Sequence, residues 1–208
     1  MTQPAQQGTQ PADDPSNGYE AIAHLFASGA VRGSPIGVAA VRRWALTLPH
    51  GADLLDIGCG TGFPISQTLI DCGHHVYGVD ASPTMIAAFR QRFSEAPAEC
   101  APVELSRFFD RQFDGIVAWG LLFLLEPETQ TALIPKVARA LKPGGRLLFT
   151  APKEVGEWLD NMTRCPSYSL GYDAYRRIIV GAGLEIVGED LDEGGNYYYL
   201  SRATSSDG

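Results

Sequence analysis

Apolar positions along this chain alternate between short continuous runs and helical periods. Leu54, Leu55 and Ile57 form an unbroken apolar run, the pattern of a strand buried on both faces. His75–Val79, Phe113–Trp119 and Arg146–Ala151 repeat that pattern, and Glu99–Glu104 is a weaker strand candidate spoiled by Pro102. Between the runs the spacing turns helical. A helix is predicted from Pro64 to Cys72, stopped at Gly73. Ser82 and Pro83 open another, with Ile86, Phe89 and Phe93 on its buried face. Pro127–Leu141 reads as a third, which Pro135 should kink or restart before LKPGG ends it. Strands alternating with helices predict an α/β fold, a mainly parallel sheet doubly wound with helices on both faces.

The two ends depart from this rhythm. Asn17 and Glu20 have the spacing of a capping box ahead of Tyr19, Ile22, Ala23 and Phe26 at helical intervals. Gly29–Gly33 breaks that helix, and Ser34 and Pro35 start a second with Val38, Val41, Ala45 and Leu48 on one face. Beyond the fifth strand, Lys153–Gly171 has no clear period and carries Trp158, Met162 and Tyr168, as a lid or substrate wall would. Tyr175, Ile178, Ile179 and Ala182 restore a helix. Leu184–Leu191 and Asn196–Arg202 are close enough for an antiparallel hairpin. The resulting division is a disordered tail at 1–15, a helical cap at 16–50, the α/β domain at 51–203 with 152–171 as an insertion, and a second tail at 204–208.

The stretch DLLDIGCGTGFP, Asp53–Pro64, carries the first chemistry. Gly58, Gly60 and Gly62 let the backbone turn and approach a ligand without a Cβ in the way. A dinucleotide fingerprint would need a third glycine where Phe63 stands, and no GKS or GKT follows to make a P-loop. Asp56 would oppose a bound pyrophosphate and suits a ligand with an amine. Asp80, 20 residues after Gly60 at the end of the second strand, can accept both hydroxyls of a ribose. A ribose, an ammonium group and no phosphate near Asp56 describe S-adenosylmethionine.

Four motifs in register, DLLDIGCGTGFP, VYGVDAS, FDGIVAWGLLFLL and LKPGGRLLFTAP, resemble those of the class I S-adenosylmethionine-dependent methyltransferases over about Ala52–Arg202. The resemblance implies a Rossmann-like seven-stranded sheet with its last strand antiparallel. It implies that Asp56, Gly58, Cys59, Gly60 and Gly62 cradle the methionine part and that Asp80 holds the ribose beside Ala81, Ser82 and Met85. Glu104, Leu105 and Ser106 would cup the adenine. Trp119 and Gly120 would face the sulfonium and the acceptor, and Tyr19 would close over the cofactor, with Trp119 and Tyr19 as the catalytic candidates. Phe123, Trp158, Met162 and Tyr168 are the substrate-wall candidates.

Composition narrows the acceptor. A net charge of −8 disfavours a nucleic-acid surface, and AWGLL lacks the strand-end patterns of base methyltransferases. No apolar run approaches the roughly 18 residues of a membrane span. The four cysteines lack metal-ligand spacing, so no metal site is expected and a cytoplasmic, reduced setting is. No clear general base is visible; His24 reads as an exposed helix residue. The expectation is methyl transfer to a small molecule, an amine, thiol or hydroxyl, by a monomer or weak homodimer. A catalytically silent cofactor-binding module and a nicotinamide-dependent oxidoreductase are the rivals.

Overall fold

A computed structural model describes residues 14–29 and 35–204. The tails at 1–13 and 205–208, most of the Gly29–Gly33 break and the start at Ser34 lie outside the described residues. Nine strands and six α-helices follow one another in the described chain. Seven strands form one sheet: β1 (Asp53–Ile57), β2 (His75–Asp80), β3 (Ala98–Cys100), β4 (Phe113–Ala118), β5 (Leu141–Thr150), β8 (Leu184–Leu191) and β9 (Tyr197–Ala203). Their order is β3-β2-β1-β4-β5-β9-β8. β1 to β5 are mutually parallel, and β9 runs antiparallel between β5 and β8.

The continuous apolar run in β1 follows from this layering. Successive side chains on a strand point to opposite faces. Leu55 and Ile57 pack with Ile116, Leu147 and Phe149 against α5 (Pro127–Ala140) and α6 (Tyr172–Gly181). Leu54 packs on the other face with Val76, Val117 and Leu148, under α2 (Val38–Ala45) and α3 (Ile65–Asp71). Each such leucine is fully buried, and burial stabilises the fold by roughly 2 kcal/mol per side chain. α4 (Pro83–Arg92) and its C-cap bring Phe89 and Phe93 together, rings tilted by 59°, under the edge of β2 and β3.

Several local expectations needed tertiary correction. α1 (Tyr19–Ala27) has Gly18, not Asn17, at its N-cap, and no side chain caps it there. Glu20 does not fold back as the capping-box partner; its backbone N–H is bonded by Ser16 Oγ and its carboxylate reaches α4 instead. α2 begins at Val38, α3 at Ile65, and β3 stops at Cys100, short of Pro102. α5 passes through Pro135 without ending. Leu133, Ile134 and Val137 are buried on both sides of the proline, and that packing outweighs one missing backbone hydrogen bond. Leu141 passes directly into β5, which reaches Arg146 through a register irregularity opposite Phe113–Gly115.

The Lys153–Gly171 stretch is ordered as a hairpin, β6 (Val155–Leu159) with β7 (Pro166–Leu170), in a separate two-stranded sheet. Its alternation is hidden because the inward residues of β7 are serines, Ser167 and Ser169, while β6 is largely exposed. Gln130 on α5 anchors it. Fully buried, Gln130 donates to the carbonyls of Leu125 (2.8 Å) and Tyr168 (3.1 Å) and accepts from the Tyr175 hydroxyl (2.5 Å). Asp192 is buried and gathers the β8–β9 turn, accepting from the N–H groups of Gly194 and Asn196 and from the Tyr198 hydroxyl. These bonds hold its carboxyl below the usual range despite desolvation.

Replacing Gln130 with alanine removes the amide donor from the Leu125 and Tyr168 carbonyls and leaves the buried Tyr175 hydroxyl, which still accepts from the Leu170 N–H, without its acceptor. Gln130→Ala should lower the urea-unfolding free energy by about 3 kcal/mol. A loss below about 1 kcal/mol would show that the hairpin is anchored by other contacts.

Candidate functional site

A cavity of about 890 Å³ opens at the carboxyl ends of β1, β2 and β4, where open α/β sheets place their ligands. The loop leaving β1 forms its floor. The Gly58 and Cys59 amides both donate to the Val79 carbonyl, at 2.7 and 3.1 Å, holding that loop against β2. Gly58 adopts φ 72° with Leu121 packed against its α-carbon, so a side chain there would be both strained and crowded. Gly62 lies outside the cavity, contrary to expectation. It sits at φ 79° over Phe89 and Phe93, where a Cβ would approach Phe93 to 2.4 Å. Its role is to let the loop close onto α4.

Asp80 joins two loops. Oδ2 accepts from the Gly60 amide and Oδ1 from the Ser82 amide, each at 2.8 Å. Each oxygen keeps a lone pair, and the residue lines the cavity. Burial raises its carboxyl above the ordinary value, against the lowering effect of the two amides. Asp56 is more deeply buried, at 2% exposure, and also lines the cavity. Ser66 Oγ donates to it at 2.5 Å, and among the described residues no cation pairs with it. Burial pushes its carboxyl up to about 7. A buried acid with one neutral partner is costly when ionised, and a ligand ammonium would supply the missing charge. The two acids thus fit a ligand with a cation at one point and a pair of hydroxyls at another.

The wall over Asp80 comes from α1. Ser82 Oγ and Thr84 Oγ1 donate to the Glu20 carboxylate, the latter at 2.6 Å, and the Thr84 amide adds a bond at 3.2 Å. Ser82 in turn accepts from the Met85 amide as the N-cap of α4. These hydrogen bonds outweigh desolvation and hold Glu20 below the usual carboxylate range. Tyr19 lines the cavity, and its hydroxyl reaches Asp160 in the β6–β7 turn at 3.5 Å. Burial and that neighbouring carboxylate raise its pKa well above the ordinary tyrosine value, so it remains a phenol. α1 therefore bridges α4 on one side and the hairpin on the other.

Trp119 and Gly120 follow β4 into the cavity, together with Leu121, Leu124 and Leu125. The indole N–H is engaged, donating to the Tyr198 hydroxyl at 2.7 Å. Phe123 does not face the cavity; it packs on Trp158, ring centroids 5.9 Å apart. The cause is the 3-10 turn at Leu122–Leu124, in which residues three apart share a side, so Leu121 and Leu124 point together and Phe123 does not. Trp158 is accordingly withdrawn from the site. Tyr168 borders a separate hollow of about 660 Å³ between the hairpin, α5 and α6. Of the hairpin candidates, only Met162 lines the cavity.

On the β3 side Glu104 lines the cavity, but Leu105 is 73% exposed and directed elsewhere. Ser106 is buried and donates to Glu99 at 2.7 Å. Ala101 and Val103 stand where those two were expected. Ser82 also falls outside the lining, committed to its cap and to Glu20. Cys59, Gly60, Ala81 and Met85 line the cavity; burial raises the Cys59 thiol well above its ordinary value, which makes it unreactive. Sequence reasoning missed Phe26, Phe63 and Arg92, all on the lining, with the Arg92 guanidinium 5.6 Å over the Phe63 ring. Phe63 had been read only as an obstacle to a third glycine. His24 is exposed and outside the cavity. Among the described residues, no group of three or more His, Cys, Asp or Glu could hold a metal ion, and no helix is long and apolar enough to cross a membrane.

Residues 54–145 match the family model described as a methyltransferase domain. The cypemycin N-terminal methyltransferase of a Streptomyces species is 33% identical over 128 residues, covering 59% of this chain and 51% of that protein. The chain spans about half or less of the length of the first curated relatives it matches. Among solved structures, magnesium protoporphyrin IX methyltransferase from Synechocystis PCC 6803 with bound S-adenosylhomocysteine superposes with a TM-score of 0.73. It is 17% identical, with 92% of this chain and 100% of that one covered. The cyclase SpnF shares the fold at a TM-score of 0.72 and 18% identity, covering 93% of this chain and 97% of that one.

Asp56 gives the ligand-free protein a pH signature. Unfolded, it ionises near its ordinary 3.8; folded, it keeps its proton to about 7. The folded state binds the extra proton in that window, so this group's contribution to stability declines as pH rises from about 4 to about 7 and is flat above. Urea unfolding across that range should show the decline in the wild type and its removal in Asp56→Asn. Identical slopes in the two proteins would mean that Asp56 is ionised throughout.

Proposed function

We propose that this chain, which carries a methyltransferase domain in the fold of the class I S-adenosylmethionine-dependent methyltransferases, uses its cavity to pass a methyl group from S-adenosylmethionine to a small, partly apolar molecule. The observation that carries this reading is the pair of acids at the ends of β1 and β2. Asp56 lacks a cationic partner among the described residues, and Asp80 keeps two free lone pairs beside the glycine loop. The first suits the ligand's ammonium and the second its ribose hydroxyls. Pyrophosphate would meet Asp56 as a like charge, which speaks against a nicotinamide cofactor.

S-adenosylmethionine supplies an activated methyl: the acceptor's lone pair forms the new bond to carbon while the carbon–sulfur bond breaks and its electron pair returns to sulfur, leaving S-adenosylhomocysteine. The protein's contribution is alignment. Holding two reactants in line converts a bimolecular encounter into an effectively unimolecular step, worth roughly 7–11 kcal/mol at best. Asp80 and Asp56 fix the cofactor half. Trp119, Leu121, Leu124, Phe26 and Met162 form an apolar wall for the acceptor half. An aromatic face beside a sulfonium adds cation–π attraction. Tyr19 closes the cleft as a neutral phenol and supplies no base. An acceptor that reaches the site already nucleophilic, an amine or thiol, fits this lining best. We place the reaction in a cytoplasmic monomer or weak homodimer.

The fold also accommodates a protein named a cyclase, SpnF, so a cofactor-binding role without methyl transfer is the second reading. The deciding measurement is a screen of amine, thiol and hydroxyl metabolites for S-adenosylhomocysteine formation; tight cofactor binding with no turnover on any class would favour the second reading. Asp80→Ala should weaken S-adenosylhomocysteine at least tenfold in calorimetry, since it removes charged acceptors and frees two loop amides. Unchanged affinity would remove Asp80 from the ribose site. Trp119→Ala should lower kcat/KM for the acceptor more than it lowers cofactor affinity.

A further inference from the structure

A chain of hydrogen bonds, part-buried at Trp119 and buried at Tyr198, runs from the cavity wall to the far turn of the sheet. Trp119 Nε1–H donates to the Tyr198 hydroxyl, and that hydroxyl donates to Asp192 Oδ2, both at 2.7 Å. Tyr198 has no exposed surface, and Asp192 is 8% exposed. Asp192 is itself immobilised by the Gly194 and Asn196 amides at 2.9 Å and by the Asn196 side chain at 2.9 Å. Gly37, at the start of α2, closes over the junction; a Cβ there would stand 2.5 Å from Trp119 Nε1 and 2.7 Å from the Tyr198 hydroxyl.

Two consequences follow from this geometry. The only polar atom of the Trp119 side chain is used inside the protein, so the indole offers carbon, not a hydrogen bond, to whatever occupies the acceptor end. Its orientation is set by a strand that contributes no residue to the cavity lining, since β9 is absent from it. Burial, with the neighbouring Asp192 carboxylate, raises the Tyr198 hydroxyl far above its ordinary value, so it stays a donor to Asp192 and an acceptor for Trp119 at all working pH.

We propose that Tyr198 is a positioning residue: by bridging Trp119 to Asp192 it holds the indole as a fixed, apolar wall for an uncharged acceptor surface. This rests on the reading of Trp119 as the acceptor wall given above. Tyr198 touches neither cofactor nor acceptor and acts only through Trp119.

The test compares the full-length wild type with Tyr198→Phe, using Asp192→Asn as a second variant and Trp119→Phe to assign the Trp119 indole N–H in ¹⁵N spectra. S-adenosylhomocysteine probes the cofactor half. N-phenyl-1-naphthylamine, a neutral aromatic amine, probes the acceptor half with S-adenosylhomocysteine saturating. In the wild type the Trp119 indole N–H should be protected from solvent exchange. Tyr198→Phe should speed that exchange at least tenfold and weaken naphthylamine binding about fivefold or more, with S-adenosylhomocysteine affinity within twofold. Asp192→Asn should move the same readouts in the same direction and by less. Indole exchange as slow in Tyr198→Phe as in the wild type, or the same naphthylamine affinity in both, overturns the proposal. A parallel fall in S-adenosylhomocysteine affinity also overturns it, because it marks a general structural loss. Absence of methyl transfer in the metabolite screen would overturn the reading of the reaction, while the indole and naphthylamine readouts would still decide the role of Tyr198.

Discussion

One carboxylate holds the working end of this protein together. Asp80 accepts from the amide of Gly60 and from the amide of Ser82, and so joins the loop that leaves β1 to the loop that leaves β2. The glycine loop alone would be free to take many conformations, since glycine restricts the backbone least. Pinned at Gly60 by Asp80 and at Gly58 and Cys59 by the Val79 carbonyl, it becomes a rigid floor. The same bonds hold Ser82 where it can cap α4 and meet Glu20. The position of α1 over the cleft thus depends on Asp80 through two further contacts.

The cleft combines two kinds of wall with different physics. At the ends of β1 and β2, buried acids stand ready for polar and cationic groups, since a buried carboxylate is costly when ionised without a partner. On the other side, leucines, Phe26, Met162 and an indole with its N–H already committed form a surface that rewards apolar contact. α1 spans both, tied by Glu20 to α4 and by Tyr19 to the turn of the β6–β7 hairpin. Glu20 and Tyr19 are its charged and phenolic anchors.

The alternation of strands and helices, the glycine loop and both buried acids were legible in the chain, because each leaves a local mark. A doubly buried strand must be apolar at consecutive positions, and Leu54 and Leu55 satisfy opposite faces of the sheet. Asp56 was legible because a carboxylate beside a glycine turn opposes phosphate, and Asp80 because it ends the second strand 20 residues after Gly60. The hairpin at 155–170 was not legible, because its inward alternation is made of serines, Ser167 and Ser169, rather than apolar residues. The Glu20 contact was misread for a similar reason. A glutamate three residues after Asn17 looks local, and only packing of α1 on α4 offered it a better set of donors. Phe123, Trp158 and Tyr168 have the aromatic character of a substrate wall, and the family resemblance implies that Leu105 and Ser106 cup an adenine, yet none of the five lines the cavity. Which way a side chain points within a tight turn depends on backbone geometry that composition does not encode.

The sequence by itself determined the sheet, its winding and the chemistry at the ends of β1 and β2, since periodicity and turn chemistry act over a few residues. Tertiary structure alone decided what surrounds that chemistry. It turned Glu20 from a helix cap into a clasp between helices, withdrew Gly62 into packing, and replaced Phe123 by Leu121 and Leu124 at the cavity wall. It also joined Trp119 to Tyr198 and Asp192, residues 79 and 73 positions away in the chain. Such contacts arise only when distant segments are brought together, and the energy that selects them is packing and hydrogen bonding across the fold. DLLDIGCGTGFP supplies Asp56 and the glycine loop from its own residues, whereas the apolar wall of Phe26, Trp119, Leu121, Leu124 and Met162 is assembled from three separated stretches of chain.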